Sequence, residues 1–303
     1  MQMRAMGPGA GWRWLMQGVN LGRNNPKAIF GGVALLALVA LVPSVIQVIA
    51  QYGLKLESQS LLMVIGFTTL LSIIVFPLLI GGMLRVIDAG EHGRPTHATA
   101  IFDAFRGGHG AGRLIGFGVL MSVIYIGVFL ALVSLLGEGM LDWYLQVITA
   151  SQAQQAGTPP AVPPIPKGFG RVMALGSLFG LFFGGVYAIG FGQIALTDRS
   201  VGGALADGFT GALKNLLPIL VLAIIAFVAL ILLIIAFMLV ALLLGAIGKL
   251  VHEALALVLL VPLYIGLLLA IYAVMFGVMY HLWRDVAGGD AAAGGDSNGV
   301  VAA

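Results

Sequence analysis

The side chains best suited to chemistry are concentrated in one polar stretch of 22 residues in the first half of the chain. They are Asp88, Glu91, His92, His97, Asp103 and His109. Imidazole and carboxylate groups are the ligands that zinc and similar divalent metals prefer. The spacing matches no zinc signature, however, and the glycines and proline between these residues favour a flexible connection. We therefore expect a solvated polar loop at residues 88–109, with a divalent metal site as the alternative.

Glu91, His92, His97 and Asp103 would also be the catalytic groups if the protein were an intramembrane enzyme. Other catalytic signals are missing: the sequence has no Gly-rich phosphate loop, no His-Glu-x-x-His and no Gly-x-Ser-x-Gly. Cysteine is absent, which excludes a thiol nucleophile and Cys-ligated metals. The sequence therefore predicts a protein that is not an enzyme and that uses no cofactor.

The elements around this stretch are long apolar runs. The longest, Leu216–Gly248, contains no charged or polar side chain and would be about 50 Å long as one helix, whereas the hydrocarbon core of a bilayer is about 30 Å thick. The whole chain is 60% hydrophobic and 9% charged, whereas soluble domains are about 25% charged. These features predict a membrane protein with several spans.

Six transmembrane helices are predicted, which gives an all-α, polytopic fold. They lie at residues 29–50, 60–82, 114–136, 172–196, 217–247 and 254–280. Residues 1–28 form a cytoplasmic N-terminal segment with an interfacial helix, and residues 29–285 form the transmembrane domain. Residues 286–303 are rich in Gly, Ala, Asp and Ser, which predicts a disordered cytoplasmic tail.

The basic residues orient these spans. If the N-terminus is cytoplasmic, 11 of the 15 Lys and Arg residues fall on the cytoplasmic side. Because positive charge accumulates on that side, the distribution predicts that both termini are cytoplasmic. A five-span or seven-span model would not separate the basic residues in this way. The formal net charge of +3 is too small to indicate nucleic-acid binding.

Three polar segments that precede pairs of spans resemble one another. They occupy residues 14–26, 99–113 and 203–218. Asp103 and Phe105 in the second have the same spacing as Asp207 and Phe209 in the third. We infer three pseudo-repeated units, each an interfacial amphipathic helix followed by a transmembrane hairpin. The alternative is that short cytoplasmic loops independently accumulate basic residues, glycine and aromatics.

Two short motifs carry a family resemblance. The opening motif consists of Gly11, Arg13, Trp14, Gly18, Leu21, Arg23, Asn24 and Pro26, and the closing motif is Tyr-His-Leu-Trp-Arg-Asp at residues 280–285. With six spans between them, the chain resembles uncharacterised six-span inner-membrane proteins of Gram-negative bacteria. The resemblance implies a fold and a location in the bacterial inner membrane. That family has no established activity, so no catalytic role is implied.

Polar and small residues within the spans are candidates for helix packing or for a substrate path. Gln47 and Gln193 lie in apolar surroundings, where hydrogen bonding between helices is the expected role and a path the alternative. Gly176, Gly180 and Gly184 repeat at intervals of four residues, which lets another helix approach closely. That helix would belong to the same chain or to a second copy in a homo-oligomer.

Four basic residues at the expected cytoplasmic headgroup level are candidate lipid contacts: Arg106, Arg113, Arg199 and Lys214. The alternative is that they only set the topology. No ionisable residue lies deep in a predicted span, which argues against an ion-coupled transporter. The sequence thus favours a non-enzymatic scaffold or accessory protein that organises lipid or a membrane complex, with membrane lipids as partners and a membrane protein or a second copy of the chain as a further expected partner. The alternative is a transporter or channel for an apolar or zwitterionic molecule or lipid.

Overall fold

The computed structural model describes residues 2–106, 110–155, 163–251 and 253–288, which contain α-helices and no β-strand. The α-helices are α1 (Ala10–Val19), α2 (Pro26–Val48), α3 (Ser58–Glu91), α4 (Ala111–Leu136), α5 (Met140–Gln155), α6 (Phe169–Thr197), α7 (Val201–Lys214), α8 (Leu216–Val251) and α9 (Glu253–Ala287). A π-helical turn, Ile49–Gly53, extends α2, and a 3₁₀ helix, Ala98–Arg106, lies between α3 and α4. Helices α2, α3, α4, α6, α8 and α9 are long and apolar enough to cross a membrane. The predicted all-α, six-span fold is confirmed, and the chain is a multi-pass membrane protein.

Local sequence signals set where the helices begin. Helix α2 begins at Pro26, whose fixed φ suits the first helical position, and the Asn25 side chain accepts a hydrogen bond from the backbone of Ala28 at 3.1 Å. Ser200 caps α7 in the same way, accepting from the backbone N–H of Gly203 at 3.2 Å. Both caps satisfy backbone donors that a helix start leaves unpaired.

Two helices continue beyond their predicted spans. Helix α3 runs past residue 82 to Glu91, so Asp88 and Glu91 lie on a helix and not in a loop. Helix α9 runs past residue 280, and Val286 and Ala287 are buried parts of it instead of the start of a tail. The remainder of the predicted disordered tail, residues 289–303, lies outside the described residues.

The chain forms two compact units: residues 1–119 with 185–303, and residues 120–184. The second unit contains the distal parts of α4 and α6 together with α5. It includes an aromatic group in which Tyr125 of α4 lies 6.0 Å from the rings of both Phe179 and Phe183. Those two phenylalanines of α6 are stacked with their centroids 4.9 Å apart.

In the first unit, the short helix α1 packs across the third hairpin, α8 and α9. Gly11 lies against the backbone of Pro218 and Leu222 at the start of α8. Gly18 lies against Gly277 near the end of α9, where an added Cβ would be 2.7 Å from the facing Cα. Glycine at these two contacts lets the backbones approach more closely than any side chain would allow.

The 3₁₀ helix packs in a similar way on the first hairpin, α2 and α3. Gly82 of α3 faces the backbone of Ile101, and Gly31 at the start of α2 faces the methyl group of Ala98. Ile101 is fully buried at this contact. The 3₁₀ helix follows this hairpin in the sequence and precedes the next one.

Helix α7 packs on the second hairpin, α4 and α6. A Cβ added at Gly208 would lie 2.8 Å from the carbonyl oxygen of Val186 on α6. Val201 lies next to Gly116 near the start of α4. The 3₁₀ helix and α7 therefore each pack on the hairpin that precedes them in sequence, and α1 packs on the last hairpin.

Candidate functional site

The C-terminal ends of α3, α6 and α9 are joined in one cluster, which we call the polar junction. It consists of Arg85, Asp88, Glu91, Gln193, Tyr280, Trp283 and Arg284. Arg85 Nε on α3 donates a hydrogen bond to the carbonyl oxygen of Ala195 on α6 at 3.0 Å. The hydroxyl of Tyr280 on α9, a fully buried residue, donates to Asp88 Oδ1 on α3 at 2.8 Å. These bonds fix α3 to both other helices.

Gln193 on α6 is the most enclosed polar side chain of the junction. It is fully buried, accepts a hydrogen bond from Trp283 Nε1 at 3.4 Å, and donates from Nε2 to Asp207 Oδ2 on α7 at 3.0 Å. Arg199 binds the same carboxylate through two nitrogens, at 2.8 and 3.3 Å. Both ends of the amide are engaged, so Gln193 fixes α6 to α7 and α9.

The short helix α1 is tied to the end of α9. Trp14 is fully buried, and its indole Nε1 donates to Asp285 Oδ2 at 3.0 Å. Arg13 lies 4.0 Å from the same carboxylate oxygen. A buried indole N–H needs an acceptor, and Asp285 supplies it across the α1–α9 contact.

The N-terminal segment before α1 is held by the loop between α7 and α8. Asn215 is fully buried, accepts from the backbone N–H of Met6 at 2.8 Å and donates to the carbonyl of Arg4 at 2.9 Å. The backbone N–H of Arg4 donates to the carbonyl of Val286 at 2.9 Å. The chain start therefore belongs to the same packed layer as the polar junction.

A polar pocket of about 440 Å³ opens at the junction. Its lining residues are Asp88, His92, Arg94, Leu196, Tyr280, Trp283, Arg284 and Gly288. Asp88 is already engaged: it accepts from Tyr280, forms an ion pair with Arg94 and lies 3.3 Å from His92 Nδ1. The lining therefore contains two guanidinium groups and one carboxylate whose hydrogen-bonding capacity is largely used.

The contacts of Arg284 in this pocket differ from those of Asp88. Its guanidinium lies 3.7 Å from Glu91 and 4.0 Å from Asp285, and its Cζ lies 5.7 Å from the centre of the Tyr280 ring. These ion-pair distances exceed hydrogen-bonding distance, and no side-chain hydrogen bond of Arg284 occurs within the described chain. Glu91 also lies 4.0 Å from Nε2 of the buried His281.

A second cavity, of about 620 Å³, lies along the membrane-spanning parts of α2, α3 and α9. Its lining residues are Ala34, Leu36, Ala37, Leu38, Ala40, Leu41, Phe76, Ile80, Ile265, Leu268, Leu269, Tyr272, Met275 and Phe276. The only polar side-chain group among them is the Tyr272 hydroxyl. A cavity of this size falls within the range of small-molecule sites, and its lining suits hydrocarbon.

No protein-family model, curated protein or solved structure matches this chain. The function therefore has to be inferred from the geometry alone.

Three of the four candidate headgroup contacts are engaged within the protein. Arg113 binds the carbonyl and carboxylate oxygens of Asp198, Arg199 holds the buried carboxylate beside Gln193, and Lys214 donates to a carbonyl of the N-terminal segment at 3.1 Å. Arg106 is the most exposed, with 76% of its side chain accessible. Lipid contact stays a prediction for all four, and Arg106 is the one most available for it.

The structure does not bring the two candidate path glutamines together. Gln47 on α2 donates to Thr68 Oγ1 on α3 at 3.1 Å, an interhelical bond of the kind the sequence suggests. Thr68 precedes Arg85 by 17 residues of one helix, which is about 25 Å along the axis, whereas Gln193 lies at the junction beside Arg85.

The glycine stripe of α6 faces no neighbour within the described chain. An added Cβ at Gly176, Gly180 or Gly184 would have no described atom within 4 Å. Gly185, the next residue, instead packs against Ile219 of α8. The packing role of the stripe and its use as a homo-oligomer seam therefore stay predictions.

The candidate metal ligands are not gathered. Among the described residues, no group of three His, Asp or Glu side chains is placed to hold a metal ion. Glu91 pairs with Arg284, and Asp103 pairs with Arg106 at 3.3 Å on the 3₁₀ helix. His109 lies outside the described residues.

Sequence reasoning missed most of the polar junction. Arg85 and Asp88 lie after the end of the predicted second span at residue 82, and Tyr280 and Arg284 lie at or beyond the end of the predicted sixth span at residue 280. The available signal was helical spacing: each pair is three or four residues apart, so both members lie on one face if the helix continues. Trp14 and Asp285 stand in the two terminal motifs, but nothing in the sequence indicates that they form a pair.

Proposed function

We propose that the protein is a non-enzymatic scaffold or accessory protein of the bacterial inner membrane that organises lipid or a membrane complex. The observation that supports this most is the surface of α8. Six consecutive residues, 230–235, are all exposed, and because a helix turns every 3.6 residues they cover all sides of it. Every one of these side chains is Leu or Ile. At this level α8 presents an apolar surface to lipid or to helices of another protein.

The polar junction of α3, α6 and α9 supports the scaffold role from a different part of the fold. Buried hydrogen bonds and backbone contacts at glycine fix the helix ends, while the apolar surface of α8 is left uncovered. Helix ends that are fixed in this way, combined with an exposed apolar helix, suit a protein that positions a partner in the membrane.

The absence of catalytic chemistry is part of the proposal. Asp88, Glu91 and Asp103 each pair with a cation of the same chain, so these carboxylates are engaged in structural contacts. We also propose that both termini are cytoplasmic and that the chain belongs to the six-span inner-membrane group it resembles, as the distribution of basic residues and the terminal motifs suggest.

Photo-crosslinking tests the scaffold role. A photoreactive amino acid replaces Phe227, which is 64% exposed on α8, and the matched control replaces the buried Phe191 on α6. In native membranes we expect a discrete protein adduct or one defined lipid adduct from position 227 and none from position 191. A random mixture of membrane lipids at position 227, in proportion to their abundance, would contradict the proposal.

The cavity between α2, α3 and α9 favours transport of an apolar or lipid-like molecule as a second candidate function. Its apolar lining suits an acyl chain better than a hydrated solute. Proteoliposomes containing a fluorescent phospholipid distinguish the two functions: a scaffold leaves the lipid in its original leaflet, whereas a lipid transporter moves it across. Substituting Ala37 by Trp fills the cavity and should abolish any such movement.

A further inference from the structure

The polar pocket has an excess of hydrogen-bond donors. An arginine carries five N–H donors and no acceptor. In the described chain the guanidinium of Arg284 makes no hydrogen bond, and that of Arg94 bonds only to Asp88. The one carboxylate in the lining, Asp88, is already contacted by Tyr280, His92 and Arg94. The remaining donors therefore point to an anionic ligand with several acceptor oxygens.

The position of the pocket restricts the class of anion. The pocket opens beside the C-terminal ends of α3 and α9, at the level where Trp283 and Tyr280 lie. The apolar spans of both helices give way here to charged residues, including Arg85, Asp88 and Arg284, as expected where the hydrocarbon core meets the lipid headgroups. At this depth the abundant anion is the phosphate group, which arginine binds with two parallel N–H donors.

The carboxylates beside Arg284 orient it without using its hydrogen-bonding capacity. Glu91 and Asp285 lie 3.7 and 4.0 Å from its nitrogens, and the ring of Tyr280 lies below it. A guanidinium held in this way is preorganised, since little rotamer freedom remains to be lost when an anion binds.

We propose that the polar pocket binds the phosphate group of a phosphate ester through Arg284 and Arg94. The phosphate ester is either the headgroup of a membrane phospholipid or a soluble molecule of the same chemistry. This site is distinct from the apolar surface of α8, so it goes beyond the scaffold function and does not depend on it.

Native mass spectrometry of the delipidated full-length protein tests the site with matched probes. The probes are phosphatidylglycerol, the diacylglycerol with the same chains but no phosphate, and glycerol phosphate as the soluble ester. The variants are Arg284→Gln and Arg94→Gln, with Arg106→Gln as the control because Arg106 is an exposed arginine outside the pocket.

We expect the unmodified protein and Arg106→Gln to retain one phosphatidylglycerol in preference to diacylglycerol. Both pocket variants should bind phosphatidylglycerol at least about tenfold more weakly, since a hydrogen bond to a charged group is lost. Displacement by glycerol phosphate would identify a soluble ester as the ligand, and retention in its presence would identify the lipid. Equal retention of the two lipids, or unchanged binding by both pocket variants, would overturn the site.

A folding defect is separated from a binding defect by a second pair of variants. Arg284→Lys keeps the charge beside Glu91 but loses the two-donor geometry, so partial binding with unchanged thermal stability is expected. The Arg94 side chain is 59% exposed, and its replacement should leave the fold intact. If Arg284→Gln fails to fold, the result with Arg94→Gln decides the proposal.

Discussion

The two ends of helix α3 use glycine in opposite ways. Gly82, near the polar junction, faces the backbone of Ile101, and an added Cβ there would overlap the carbonyl group. Gly66, in the first half of the same helix, has no described atom within 4 Å of an added Cβ. One end of the helix is closely packed within the chain and the other faces its surroundings. Identical residue types in one helix therefore have different constraints.

Polar residues show the same contrast. Near the junction, Gln193, Asp207 and Asn215 are buried and take part in hydrogen-bond networks between elements distant in sequence. Along the exposed stretch of α8 no polar side chain occurs at all. The comparison shows that several buried polar interactions of the fold lie near the junction, whereas the exposed stretch of α8 has only apolar side chains.

The largest effect is expected from filling the glycine contact. Gly82→Leu places a side chain against the backbone of Ile101, which cannot move without displacing the 3₁₀ helix. Overpacking of this kind should reduce the free energy of unfolding by about 3 kcal/mol or more. Denaturant titration in detergent micelles measures it, with recovery from size-exclusion chromatography as a second readout.

Gly66→Leu is the matched control on the same helix. The position is open, and leucine has a higher helix propensity than glycine, so stability should be unchanged or slightly increased. If both substitutions destabilise the protein equally, the contrast between the two ends of α3 is wrong.

A smaller effect is expected from Asp207→Ala. The Asp207 side chain is only 10% exposed, and its removal takes away an acceptor that Nε2 of Gln193 and the guanidinium of Arg199 share. We expect a loss of about 1–3 kcal/mol in the free energy of unfolding. Asp103→Ala removes the residue at the corresponding position of the proposed repeat, which forms an ion pair with the exposed Arg106.

The Asp103 variant should lose no more than about 1 kcal/mol, as is usual for an exposed ion pair. The same denaturant titration compares the two variants. Equal losses would show that the two aspartates have the same structural role. The two repeated segments would then be more alike than their contacts indicate.

The smallest effect is expected away from the junction, at Gln47→Leu. This change removes the hydrogen bond to Thr68 between α2 and α3. Interhelical hydrogen bonds in membranes contribute about 0.6 kcal/mol on average, so the unfolding midpoint should shift only slightly. A loss as large as that of Asp207→Ala would mean that this part of the first hairpin carries as much specific stabilisation as the junction.

The sequence predicted the class of fold well because hydrocarbon imposes a simple requirement. Each span needs about 20 apolar residues whatever its neighbours are, and a composition such as that of Leu216–Gly248 is recognisable without any tertiary information. The sequence was less informative at the helix ends. Arg85 and Asp88 resemble loop residues by composition, but they continue α3 because Ala195 and Tyr280 supply their hydrogen-bonding partners.

The candidate site was largely invisible for the same reason. The closing motif at residues 280–285 was noticed only as a resemblance, although its tyrosine, tryptophan and arginine line the polar pocket. A pairing such as Trp14 with Asp285 joins residues 271 positions apart, and no local pattern can reveal it.

The sequence by itself determined the six apolar helices and the amphipathic segments between them, because burial in hydrocarbon and helical periodicity act locally. Only the tertiary structure decided that the 3₁₀ helix and α7 each pack on the preceding hairpin and that the ends of α3, α6 and α9 converge. These features depend on glycines that admit a backbone and on polar groups that find partners across the fold, and both are set by which distant segments meet.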